Sequence, residues 1–90
     1  MCDMAEGVWA PAYQVSKAAL NALTCLWAAE FLADGIPVNS VCPGWCRTDM
    51  GGASAARSAV EGALGIAWVA SEAPREITAK FWRDRAVIAW

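Results

Sequence analysis

The sequence predicts an α/β chain that supplies part of a parallel sheet with helices packed on it. Three observations carry this. Residues 12–34 are apolar nearly all round at helical spacing, as in a helix buried on two sides. Directly after them, Ile36-Pro37-Val38-Asn39-Ser40-Val41-Cys42 is short, partly β-branched and stopped by Pro43-Gly44, the pattern of a strand with proline near its start. The composition, finally, is too apolar for 90 residues alone: 58% is hydrophobic, with six Trp, and 18% is charged. A chain of this size buries only about 60–65% of its unfolded surface on folding. A helix leading straight into a strand is half of a βαβ unit, and parallel strands joined by helices are stable as a set with both faces covered. The expectation is one partial domain that belongs to a larger core.

Taken in order, Met1 to Ala10 has no hydrophobic period and carries Gly7, which predicts a loop, and Pro11 suits a first helical turn. A helix over about 12–34 follows. At 100° per residue Tyr13, Lys17, Leu20, Thr24 and Phe31 share one stripe, and Ala19, Ala22, Leu23, Leu26 and Ala33 cover the opposite side. One side packs on a sheet and the other remains for a helix or a second subunit. Gly35 fits a stop signal. A strand over about 36–42 and a loop over 43–57 come next. Ser58-Ala59-Val60-Glu61 then has the capping-box spacing, and Val60, Leu64, Ala67 and Trp68 recur at helical intervals, giving a helix over about 59–72, weakened by Gly62 and Gly65, before Pro74. Residues 77–90 are expected to hold a strand around Lys80-Phe81-Trp82, a turn at Arg83-Asp84-Arg85 and an apolar tail, Val87-Ile88-Ala89-Trp90.

Net charge is −2, with a pI near 4.9. Lys and Arg form no run, so the phosphate-neutralising stripe of a nucleic-acid binder is missing. Met1-Cys2-Asp3-Met4-Ala5-Glu6 carries two acids instead of a basic n-region, and the apolar stretch from Ala18 to Ala33 is interrupted by Asn21, Thr24 and Glu30 and falls short of the roughly 20 residues a bilayer span requires. A cytoplasmic protein without a membrane partner is expected. In that compartment Cys2, Cys25, Cys42 and Cys46 read as free thiols. A metal site is not expected, because the chain has no His and Cys42-x-x-x-Cys46 has no second ligand pair.

Chemistry enters with Tyr13 and Lys17. Residues four apart lie one above the other on a helix, so this spacing sets an ammonium beside a phenol. A free phenol has a pKa of about 10, and moving it about three units costs roughly 4 kcal/mol. A unit charge about 4 Å away supplies about 1 kcal/mol in water and about 4 in a partly shielded site. The pair therefore works only inside a closed pocket. By itself Tyr-x-x-x-Lys occurs in many helices as a helix-start tyrosine and a solvated lysine.

The second motif changes that weight. Tyr13-x-x-Ser16-Lys17-x-Ala19-Leu20-Asn21-x-Leu23-Thr24, followed by Val38-Asn39-x-Val41-x-Pro43-Gly44-Trp45-x-Arg47-Thr48-Asp49-Met50, resembles the C-terminal half of a short-chain dehydrogenase/reductase. The stretch from Cys42 to Gly52, Glu61-Gly62-Ala63 and Phe81-Trp82-Arg83-Asp84 are most similar to the carbonyl-reductase-like branch. The resemblance spans nearly the whole chain. It implies the C-terminal part of a Rossmann-like doubly wound parallel sheet whose N-terminal dinucleotide-binding half is missing.

What the resemblance implies for the site is specific. Tyr13 matches the general acid for carbonyl reduction, which is the base for alcohol oxidation, and Lys17 matches the residue that lowers its pKa and holds the nicotinamide ribose. The loop after Pro43 and Gly44 is the one that closes over the nicotinamide, with a backbone group of Cys46 on the carboxamide and Thr48 on the amide or phosphates. A loop beyond the carboxyl end of a parallel strand is where ligands bind in open α/β sheets. Trp45 is a candidate for lining the substrate pocket or for packing, and Arg47 and Asp49 for a loop ion pair or helix cap. Arg83 and Asp84 read as surface-turn or subunit contacts. Cys46 stands where the family usually has Val, and Ala79 where a Gly is common, which crowds that turn.

Two departures limit the expectation. No glycine spacing gives G-x-x-x-G-x-G or G-x-G-x-x-G, so the phosphate cradle is absent and NAD cannot be told from NADP. Ser16 is the first serine, so the family's catalytic Ser, a little more than a dozen residues before the Tyr, is absent too. The first reading is an incomplete part of an NAD(P)-dependent oxidoreductase that moves a hydride between a nicotinamide and a small-molecule carbonyl or alcohol. The alternative is a catalytically inactive remnant whose apolar helix, residues 18–33, serves as an oligomerisation or interaction module.

Overall fold

The computed structural model describes residues 11–44, 46–47 and 52–90. Helix α1 spans Pro11–Glu30 and is followed by a 3₁₀ turn, Leu32–Asp34. Then come strand β1 (Ser40–Val41), the pair β2 (Cys46–Arg47) and β3 (Arg57–Ser58), helix α2 (Ala59–Ser71), and strands β4 (Phe81–Arg83) and β5 (Ala86–Ile88). The main sheet has the order β1-β4-β5. β1 and β4 are parallel, with Ser40 opposite Phe81 and Val41 opposite Trp82, and α2 lies on the connection between them, which makes the βαβ unit. β5 returns antiparallel to β4, with Trp82 opposite Val87, so the sheet is mixed. β2 and β3 form a separate parallel pair, Cys46 opposite Arg57 and Arg47 opposite Ser58.

Element limits differ from the expected ones where the backbone finds other partners. α1 stops at Glu30 and not near 34, because Gly35, at φ 69°, turns the chain and its N–H caps Leu32 O at 3.1 Å. The strand expected over 36–42 is paired only at Ser40–Val41. Pro37 has no N–H to give. The Val38 N–H goes to Thr78 Oγ1 at 3.0 Å, and the Asn39 side chain bridges Ile77 O and the Lys80 N–H, each at 3.1 Å. Side chains, with one backbone bond from the Ala79 N–H to Val38 O at 2.9 Å, thus hold this segment to residues 77–80 in place of a regular ladder. The expected loop 43–57 carries the β2 and β3 pairing at its two ends. The single strand expected near the C-terminus is a hairpin. Arg83 belongs to β4, and the turn is Asp84-Arg85, both at positive φ (51° and 64°), the handedness that matches strand twist in a two-residue turn.

Ser58 caps α2 in a full capping box: its Oγ accepts from the Glu61 N–H and the Glu61 carboxylate accepts from the Ser58 N–H, each at 3.1 Å. Such a cap is worth about 1 kcal/mol. The core gathers on β4, where Phe81 and Trp82 are buried. Trp82 meets Trp68 of α2 edge-on, with centroids 5.6 Å apart, and Phe81 stacks on Trp90 at 5.4 Å. α1 is fastened to the sheet through Thr24. The Thr24 hydroxyl donates to Leu20 O at 2.8 Å, so its oxygen, 2.7 Å from Ser40 Oγ, accepts from that serine. Elsewhere both helices leave apolar side chains in solvent: Val15, Leu20, Leu26 and Trp27 on α1, and Val60, Leu64 and Ile66 on α2. Among the described residues, no helix is long and apolar enough to cross a membrane.

Candidate active site

Tyr13 and Lys17 sit in the first two turns of α1. The Lys17 ammonium lies 5.5 Å from the centroid of the Tyr13 ring, within the range where a cation is attracted to an aromatic face. Ser16, between them, donates to Tyr13 O at 2.7 Å, which uses its hydroxyl within the helix. Tyr13 is 37% exposed and Lys17 is half-buried, so the described residues form one wall beside the pair and leave its other side open.

The position of the pair relative to the sheet follows from helix geometry. Eleven residues separate Tyr13 from Thr24 and seven separate Lys17 from Thr24, which puts all three on one face at 100° per residue. Thr24 is bonded to Ser40, so that face is the one turned to β1. Eleven residues of helix rise about 16 Å. Ser40 to Gly44 rises about 13 Å in an extended chain. The chain reverses between Glu30 and Ser40, so the start of α1 and the turn after β1 reach the same end of the sheet.

That turn is held by side chains and backbone distant from it in sequence. Gly44 has φ 81°, which a side chain would resist, and a Cβ there would come within 3.0 Å of the Arg57 guanidinium. Arg57 Nη1 donates to Pro43 O at 3.0 Å and to Asp84 Oδ1 at 2.7 Å, while Nη2 donates to Asp84 Oδ2 at 2.8 Å. The fork-to-fork geometry is the strong form of a guanidinium–carboxylate contact. The hydrogen bond from Arg57, with the guanidinium charge, holds the Asp84 carboxyl below its ordinary value of 3.8, and the same bond raises Arg57 in turn. Arg83 Nε adds a longer contact to Asp84 Oδ2, at 3.8 Å. From the other side Gly62 of α2 lets the helix close on the turn, since a Cβ there would run into Cys46 Sγ and lie 3.2 Å from Pro43 Cβ. The Cys46 thiol donates weakly toward Pro43 O and Gly44 O at 3.7 and 3.6 Å.

Of the residues expected at the site, the structure therefore brings Tyr13 and Lys17 together on α1 and Pro43, Gly44 and Cys46 together in the turn after β1. Trp45 and Thr48 lie outside the described residues, as does the expected Arg47–Asp49 contact. Sequence reasoning gave Arg57 no role beyond the loop over 43–57, and gave Asp84 to a surface turn or subunit contact. Its only local signal is the position of Arg57 directly before the Ser58 cap.

The family model described as enoyl-(acyl carrier protein) reductase matches residues 3–79. Short-chain dehydrogenase anuI of Penicillium roqueforti is 37% identical over 75 residues, covering 82% of this chain and 30% of that protein. Carbonyl reductase (NADPH) 1 of Oryctolagus cuniculus is 36% identical over 94 residues, covering 94% of this chain and 33% of that protein. Among solved structures, the carbonyl reductase Sniffer of D. melanogaster superposes with a TM-score of 0.79 at 32% identity, over 88% of this chain and 32% of that one. The chain spans about a third of the length of the curated relatives it matches. Motif order, βαβ connection and superposition agree: this chain belongs to the short-chain dehydrogenase/reductase family and is carbonyl-reductase-like.

Proposed function

We propose that these residues are the acid–base and nicotinamide-side part of an NAD(P)-dependent oxidoreductase acting on a small-molecule carbonyl or alcohol. The observation that carries this is the pairing of Lys17 with Tyr13 on the face of α1 turned to β1, at the end of the sheet where the Pro43-Gly44 turn lies. The relatives support the cofactor class, since the rabbit protein is named for NADPH. Gly44 and the Arg57 guanidinium, which occupies the space a Gly44 side chain would take, fix the shape of this turn beside the pair.

A bound nicotinamide supplies the hydride. Tyr13 gives its hydroxyl proton to the carbonyl oxygen as that oxygen gains charge, and takes the proton back when an alcohol is oxidised. Lys17 balances the phenolate left behind and holds the ribose hydroxyls. Pro43, Gly44 and Cys46 would hold the nicotinamide; the resemblance assigns Thr48 to the cofactor and Trp45 to the substrate, and both lie outside the described residues. The phosphate cradle and the carbonyl-polarising Ser are not among these 90 residues. We assign them to a part of the protein outside this chain.

Preorganisation carries much of such catalysis, so the chain by itself is expected to show no carbonyl-dependent oxidation of NADPH. A chimera in which residues 11–90 replace the corresponding third of the Drosophila carbonyl reductase should turn over. Tyr13→Phe should cut its kcat by about 10²–10⁴, the usual worth of a positioned acid, while NADPH still binds. A chimera that binds NADPH and is indifferent to Tyr13→Phe would refute the assignment.

A second reading, an interaction module working through residues 18–33, is favoured by one observation. Leu20, Leu26 and Trp27 are all exposed on α1. Its partner is a second copy of this chain or a full-length relative, joined helix to helix.

A further inference from the structure

Arg57 holds both ends of the turn that follows β1. Its backbone stands opposite Cys46 in the β2–β3 pair, and its side chain donates to the carbonyl of Pro43, so one residue fixes the entry and the exit of the turn. The same guanidinium is gripped by both oxygens of Asp84, which sits at positive φ in the β4–β5 hairpin turn, and it fills the space that a Gly44 side chain would need. Arg57 is 27% exposed and Asp84 58%, so the pair is open to solvent. An exposed ion pair contributes little to global stability. A hydrogen bond to a backbone carbonyl beside a left-handed glycine acts locally, on the shape of the turn.

We propose that Arg57 is a positioning residue, which with Asp84 sets Pro43, Gly44 and Cys46 in the arrangement that receives the nicotinamide and so makes cofactor affinity depend on the C-terminal hairpin. The part concerning cofactor rests on the function proposed above. The part concerning the turn does not.

Two measurements test it. Amide hydrogen exchange on the 90-residue chain, read in peptides spanning Cys46 and Arg57, should quicken about tenfold in Arg57→Gln and Asp84→Asn, with β4–β5 protection unchanged. Arg57→Lys should behave like Arg57→Gln, because an ammonium lacks the planar fork that reaches a carbonyl and two carboxylate oxygens at once. Protection should also depend on pH. The folded-state pKa of Asp84 is depressed, so its contribution is complete above the ordinary value of 3.8 and is lost as pH falls through the lower folded value. Asp84→Asn should show the low-pH exchange already at pH 7. In the chimera, the same variants should raise the KM for NADPH about tenfold with a smaller change in kcat. Unchanged exchange in Arg57→Gln overturns the clamp. Faster exchange with unchanged KM overturns its role in positioning. A chimera indifferent to Tyr13→Phe condemns the proposed function alone and leaves the exchange result to decide on the clamp.

Discussion

Ala79 holds a left-handed conformation, φ 59°, at the point where the chain enters β4. Its N–H is committed to Val38 O at 2.9 Å, and Asn39 grips the carbonyl of Ile77 and the N–H of Lys80 on either side of it. An L-residue in this region costs roughly 1–2 kcal/mol, whereas glycine gives back about 0.5–1 kcal/mol through its looser unfolded chain. Ala79→Gly should therefore stabilise by up to about 1 kcal/mol, raising the thermal midpoint by about 4–8 °C in a domain of this size. A lower midpoint would mean that the methyl group packs better than its strain costs. At this scale legibility follows sequence distance. Tyr13 and Lys17 are four apart on one helix and can be paired from spacing alone. Arg57 and Asp84 are 27 residues apart, and only the fold sets them 2.7 Å from one another.

At the scale of elements, the two glycines of α2 are equal in sequence and opposite in structure. Both read as helix weakeners, each worth about 1 kcal/mol against alanine. Gly65 has nothing within 4 Å of a built Cβ, whereas at Gly62 that atom collides with Cys46 Sγ and crowds Pro43. Gly65→Ala should thus gain up to about 1 kcal/mol in urea denaturation. Gly62→Ala meets an overpacking penalty of about 1–3 kcal/mol that outweighs its gain in propensity. Equal effects at the two positions would show that α2 does not close on the turn as described. The capping box at Ser58 and Glu61 was legible because its three-residue spacing carries its whole mechanism. The hairpin was not. Its turn uses Asp84 and Arg85 at positive φ, where Asn or Gly would have announced it.

Across the whole molecule, the two large buried side chains lie on one strand while the helices keep apolar faces in water. Ala28, Ala55, Phe81 and Trp82 are the buried hydrophobic residues among those described, and Val15, Leu26, Leu32, Val60 and Leu64 are each more than half exposed. Among the described residues the buried Trp82 indole N–H finds no hydrogen-bond partner. Such faces favour association. Sedimentation velocity over a range of concentrations should show reversible self-association, and Leu26→Glu, which sets a charge at an exposed position on α1, should return the chain to monomer. A well-folded wild-type monomer at every concentration would sink the interaction-module reading.

The sequence by itself determined the class of fold, the helix bearing Tyr13 and Lys17, the Pro-Gly stop after β1 and the cap of α2. Each rests on a periodicity or spacing of a few residues, and local sterics and hydrogen bonding act over that range. Only the tertiary structure decided how short β1 is, that β5 runs back against β4, that Gly62 is a packing requirement, and that Arg57 ties the turn to Asp84. Apart from the β4–β5 hairpin, whose partners lie 3 to 7 residues apart, those features join segments 14 to 41 residues apart, where no local preference encodes them. They arise from which backbone groups remain unpaired once the helices and strands have formed.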